Sequence, residues 1–148
     1  MPKSDAVVDA LTKVLADSYA IYFKTHAFHW NVTGPTFFSL HEMFGAQYNE
    51  IWTALDTIAE RIRALGGTPP SGPAALGRLA SIADAKGNLE ANAMVRELYE
   101  GNQAALKTIK AALAAAEKAG DQASVDLMVE RTDAHDKHSW MLKSSLAV

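Results

Sequence analysis

Cysteine is absent from the 148 residues, and its absence removes disulfides, zinc–thiolate sites and iron–sulfur clusters together. Metal chemistry in this chain has to use His, Asp and Glu, harder donors suited to iron, manganese or zinc. No apolar run approaches the roughly 18 residues of a membrane span. The opening residues, Met1-Pro2-Lys3-Ser4-Asp5, contain no apolar segment of the kind a secretory leader needs, so a cytoplasmic location is expected. Basic charge is also scarce: 14 Lys and Arg against 17 Asp and Glu leave a formal net charge of −3. Lys3 is the only basic residue before Lys13, and Ser144-Ser145-Leu146-Ala147-Val148 adds none. Constitutive nucleic-acid binders normally carry a basic patch or arm, so DNA binding is expected to be weak or absent. Gly-rich phosphate loops, nucleophile elbows and paired-cysteine motifs are missing as well.

What the chain does have is helical periodicity along one domain, residues 1–148. Val7, Leu11, Val14, Leu15, Tyr19, Tyr22 and Phe23 make one stripe, with Ser4 and Asp5 as the expected N-terminal cap and an end near Asn31. Thr33-Gly34-Pro35 breaks that helix, and Pro35 is suited to opening the next. The second helix carries Phe37, Leu40, His41, Phe44, Tyr48, Ile51, Trp52, Leu55, Ile58, Ala59 and Ile62 and stops at Leu65-Gly66-Gly67. A stiff connection, Thr68-Pro69-Pro70-Ser71-Gly72-Pro73, leads to a short amphipathic piece over 74–83. A third helix spans about 91–118, with Met94, Leu98, Leu106, Ile109 and Leu113 inward, and a fourth, about 122–146, carries Val125, Leu127, Met128, Trp140, Met141 and Leu142. The expected fold is all-α: a four-helix bundle with a short extra helix in the long crossover between helices 2 and 3.

Four polar residues stand out. His29 and His41 lie at similar heights on either side of the Gly34-Pro35 turn and can face one another. Asp56 and Glu60 are spaced i,i+4 and share a helix face. Fifteen steps separate His41 from Asp56, roughly 22 Å along a helix axis, whereas a metal holds such donors at roughly 2 Å. One chain therefore cannot unite them on one metal. An antiparallel copy of the helix would bring Asp56 and Glu60 of one chain to His41 of another, which predicts a two-fold dimer with metal at its interface. The competing reading is structural. Asp56 and Glu60 sit among Ile51, Trp52, Leu55, Ile58 and Ile62, and a buried carboxylate needs a cation, which Arg61 and Arg63 could supply. An intrachain di-iron centre of the bundle type requires Glu-x-x-His on two helices, and no Glu here has His three residues later.

The series His29-Trp30-Asn31-Val32-Thr33-Gly34, Phe38-Ser39-Leu40-His41-Glu42-Met43-Phe44, Asp56-Thr57-Ile58-Ala59-Glu60-Arg61-Ile62 and Leu65-Gly66-Gly67 closely resembles the Dps family of mini-ferritins. The likeness extends to His135-Asp136-Lys137-His138-Ser139-Trp140-Met141-Leu142 and covers essentially the whole chain. It implies a ferritin-like bundle that assembles through two-fold dimers into a hollow dodecamer. It also implies a ferroxidase that oxidises Fe(II), preferably with hydrogen peroxide, and stores ferric mineral inside. By position, His29 and His41 resemble iron ligands from one subunit, and Asp56 and Glu60 those from its two-fold mate. Trp30 resembles a residue thought to quench stray radicals, with core packing as its alternative role. Asp121, Asp126 and Glu130 resemble the acidic lining of three-fold iron-entry pores, where symmetry would make an electrostatic funnel; Asp121 also suits a helix N-terminus.

The likeness fails at one place. The family commonly has Asp or Glu four residues after the second histidine, where this chain has Gly45. Glu42 points about 100° away from His41 and cannot substitute. The resemblance then implies one firm iron position and a second that is weak or completed by water. His26 reads as a satisfied core histidine, and His135 and His138 read as structural. A DNA-compacting protein with little iron chemistry is the reading from another class.

Overall fold

The computed structural model describes residues 3–146, with side chains from residue 5 onward. It contains five helices: α1 (Lys3–Asn31), α2 (Phe37–Ala64), α3 (Pro73–Leu79), α4 (Ala91–Ala119) and α5 (Gln122–Ser144). Among the described residues there is no strand, and no helix is long and apolar enough to cross a membrane. The four long helices form the expected bundle, with α1 and α2 as one antiparallel hairpin and α4 and α5 as the other. Gly34 and Gly66 take positive φ, 106° and 90°, where a Cβ would be strained, so both chain reversals fall where turn chemistry placed them.

Several expectations shift. α1 already contains Ser4 and Asp5, so they do not cap it; the Ser4 side chain lies outside the described residues, and Asp5 sits in the first turn, favoured by the helix dipole. Pro35 stays in the turn and α2 starts two residues later. The crossover helix is shorter than the amphipathic pattern, because Ala80 leaves helical geometry. Phe23, Trp52 and Trp140 are more than half exposed, and Phe37 is also exposed. Periodicity registers that a residue is apolar, not whether this chain supplies anything to cover it.

The core is divided. Val7, Leu11, Val14, Leu55, Ile58, Ile62, Ile109 and Met128 fill one half. Ile21, Phe28, Leu40, Phe44, Ile51, Met94, Leu98 and Leu142 fill the other. Between them lies a polar belt of Asp17, Ser18, Asn102, Arg131, His135 and His138, all buried. Asp17 accepts from the Ser81 backbone N–H (2.6 Å), the Ser81 hydroxyl (2.7 Å) and the Thr108 hydroxyl (2.6 Å), which ties the crossover to α1 and α4. The crossover must run the bundle's length, since α2 ends in the first half and α4 begins in the second. That path lays it along α1 and makes α2 and α4 parallel.

Candidate metal centre

His29 is two residues from the end of α1, and His41 is in the second turn of α2. The Val32–Thr36 connection holds their rings together: centroids are 3.7 Å apart and the planes within 16°. Each ring is also pinned. His29 Nδ1 donates to the His41 carbonyl at 2.7 Å, and His41 Nδ1 donates to the His29 carbonyl at 2.7 Å. A carbonyl only accepts, so the proton of each neutral imidazole is on Nδ1 and the Nε2 lone pair is free. Orientation of a ligating histidine through its other nitrogen is the usual outer support of a metal site. Both residues are half-buried. The pairing expected from their heights about the turn is therefore present.

Aromatic rings continue from this pair along α1 and α2. His26 stacks on Tyr48 at 3.9 Å and 10°, lies 4.3 Å from Trp30, and shares a hydrogen bond with the Tyr22 hydroxyl at 2.9 Å. Tyr22 in turn is 5.2 Å from Trp52. Burial, and then the nearby His29, lower the His26 pKa, while burial raises that of Tyr22. His26 is satisfied as expected, but on a half-buried flank instead of in the core. Trp30 is 58% exposed, so within this chain it is no core residue.

Asp56 and Glu60 are exposed, on the side of α2 opposite Ile51, Leu55, Ile58 and Ile62. The apolar setting inferred from neighbours in sequence was that opposite side. A hydrogen bond to Asp56 and then its negative charge raise the Glu60 carboxyl above the usual range; this is a like-charge pair short of a cation. Arg61 and Arg63 do not serve it. Arg61 donates to Asp121 Oδ1 (2.6 Å) and to the Ser124 hydroxyl (2.9 Å), and Arg63 donates to the Gly67 carbonyl (2.8 Å). The arginine-paired reading of the two carboxylates fails on these contacts. Among the described residues, no three of His, Asp and Glu converge within one chain, as the roughly 22 Å between His41 and Asp56 requires.

Asp121 caps α5: Ser124 donates to it through its backbone N–H (3.2 Å) and its hydroxyl. Burial alone would raise this carboxyl, but the Ser124 bonds and then Arg61 hold it below the usual range. Asp126 and Glu130 are exposed one turn apart and share an open groove with Thr57, Glu60 and Arg61.

One polar constellation escaped the sequence reading in part. Glu50 receives Arg131 at 2.5 and 3.0 Å and His138 at 3.0 Å. His135 Nδ1 donates to Asn102 Oδ1 (2.7 Å), and its Nε2 accepts from Arg131 (3.2 Å). Burial pushes Glu50 up, yet the hydrogen bonds from His138 and Arg131 win and hold it near 2. Burial, followed by the charge of Arg131, lowers His135 to about 3. These two histidines are structural; the signal available in sequence was Arg131 on the inward face of an amphipathic helix.

The fold defines a class: a ferritin-like four-helix bundle, here with a pinned imidazole pair beside its first hairpin turn. The family model for the ferritin-like domain matches residues 8–148. A DNA protection during starvation protein of Bacillus anthracis is 36% identical over 95% of this chain and 96% of its own length. The crystal structure of Dps from Staphylococcus aureus superposes with a TM-score of 0.92 at 37% identity, covering 96% of this chain and 95% of that one. Dps from Vibrio cholerae O1, described as a member of the ferritin-like diiron-carboxylate superfamily, gives 0.92 at 27% identity over 96% and 89%. The chain belongs to the Dps family.

Proposed function

We propose that this protein stores and detoxifies iron as a ferroxidase, binding Fe(II) between two-fold-related copies of the chain. His29 and His41 come from one copy, and Asp56 and Glu60 from the other. Two Fe(II) ions give one electron each to hydrogen peroxide; its O–O bond breaks and, with two protons, two waters leave. Fe(III) then collects as mineral inside a closed dodecamer. The observation that carries the reading is the reciprocal Nδ1 bonding of His29 and His41, which leaves two oriented Nε2 donors that no third donor joins to make a metal-holding group among the described residues of one chain. The exposed Phe23, Trp30 and Trp52 on α1 and α2 supply apolar surface for the second copy. Asp126 and Glu130 are the iron-entry residues in this scheme, and Trp30 is a sacrificial electron donor beside the site. DNA compaction as the main role is the second reading, and a formal net charge of −3 weighs against it.

The test is to add Fe(II) and peroxide in small anaerobic steps and follow the product by gel filtration with light scattering and iron detection. Iron should co-elute with a species near 190 kDa, about twelve times 15.9 kDa. H41A and D56N should each slow oxidation by about 100-fold or more, since losing even a residue that only supports a ligand costs about 10- to 100-fold. An iron-free monomer or dimer would sink the proposal.

A further inference from the structure

Phe37 and Phe38 are neighbours of one kind, yet the fold treats them differently. Phe37 opens α2, and its backbone N–H donates to the Gly34 carbonyl at 3.0 Å, which ties it to the turn. His41 follows one turn later, and side chains spaced i,i+4 on a helix meet. The Phe37 ring lies on the His41 imidazole, centroids 5.0 Å apart and planes within 27°. Phe38, one step of about 100° around the helix, faces solvent and is 73% exposed against 40% for Phe37.

An imidazole face has room for one stacked ring. His29 already occupies one face of His41, 3.7 Å from centroid to centroid and within 16° of parallel, so Phe37 takes the other. Three rings therefore run in a row: Phe37, His41, His29. The Nδ1 edge of His41 is closed as well, by its bond to the His29 carbonyl at 2.7 Å. What stays open is the edge that carries Nε2. A metal is bound through a lone pair in the plane of the ring, at roughly 2.0–2.1 Å, so the orientation of the ring decides where the ion sits. Without Phe37, water would cover the outer face of His41 and compete for its Nδ1 hydrogen bond, and the ring would be free to swing.

We propose that Phe37 is a positioning residue for His41: it clamps the imidazole against His29 and leaves only the Nε2 edge open to a metal ion. The inference rests on the shared-site reading above and adds to it a residue that touches no ion. A ligand already held in place loses less freedom when the ion arrives, which is how such a clamp raises affinity. It also gives a use to a phenylalanine that the rest of this chain leaves partly uncovered.

Cobalt(II), added anaerobically to the assembled protein, tests this through equilibrium dialysis and its visible ligand-field bands. F37A should weaken binding by about tenfold, the lower end for loss of a residue that only supports a ligand, and shift the bands, with helix content and assembled mass unchanged. F37Y keeps the ring and should bind within about twofold of the wild type, as should F38A, which removes the same ring one position away from the stack. If F37A does not assemble, F37V, which also removes the ring, is read in its place with the same expected loss. An F37A isotherm and spectrum identical to the wild type's, or an equal loss in F38A, would overturn the proposal. It fails alone when H41A and D56N lose cobalt and F37A does not. The shared-site reading fails when H41A and D56N bind cobalt as the wild type does.

Discussion

Neutral His135 is the residue on which acid stability turns. Its pKa is about 3 in the fold against an ordinary 6.5, because it is buried beside Arg131. A histidine depressed in this way binds its proton only in the unfolded chain over that interval. Its contribution is complete above pH 6.5 and is lost as pH falls from 6.5 toward 3. His26, also lowered, acts in the same direction. Glu50, held near 2 against an ordinary 4.5, adds a second loss between 4.5 and 2. Denaturant midpoints should therefore drop steadily from pH 7 to 5 and more steeply below 4.5, with proton uptake on unfolding rising across the range. A flat profile between pH 7 and 5 would contradict the placement of His135. Lying between the two halves of the core, this belt joins α2 to α5 through the Glu50–Arg131 ion pair and α5 to α4 through the His135–Asn102 hydrogen bond, so the core is apolar at its ends and polar at its middle.

At the scale of elements, α5 does two separable things. Its first residue pair, Asp121 with Ser124, closes the helix N-terminus and binds Arg61 of α2. One turn later, Asp126 and Glu130 face solvent in the groove that also contains Glu60. D121A should lower stability by about 1–2 kcal/mol, the cost of losing an N-terminal cap, with little change in the rate of iron uptake once folded. D126N with E130Q should do the reverse, slowing uptake severalfold at low ionic strength, where exposed charges act at longest range, while leaving the denaturant midpoint within about 0.5 kcal/mol. Thermal or chemical denaturation alongside stopped-flow iron oxidation separates the two. Equal effects in both assays would mean that α5 acts as one structural unit, without a pore role for its acidic turn.

For the whole molecule, the proposed function turns on each chain holding half a site. In a two-fold dimer of an H41A chain with a D56N chain, one site receives both lesions and the other receives His41 from one partner and Asp56 from the other. Co-refolded mixtures should therefore recover activity well above either parent, up to about a quarter of the wild type if chains pair at random, since half of the dimers are mixed and each has one intact site. Additive loss with no recovery would place His41 and Asp56 in the same chain's site or in none. Assembly to a closed shell should follow the same surfaces, because the exposed aromatic side of α1 and α2 has no cover within the chain.

Much of this protein is written locally. Most of the long helices' ends, the positive-φ turns at Gly34 and Gly66, the bundle class and the meeting of His29 with His41 follow from period, turn chemistry and rise per residue, which depend only on near neighbours. The separation of His41 from Asp56 was equally legible, since a straight helix converts residue number into distance. Other properties needed every helix in place. The partners of Arg61, the bonding of Glu50 with Arg131, and the exposure of Asp56, Trp52 and Trp140 depend on which faces meet across the bundle, and periodicity leaves that open. Gly45 shows the division most plainly: its sequence neighbours mark it only as a poor helix residue, and only the fold shows the His29 ring 3.2 Å from where a Cβ would stand.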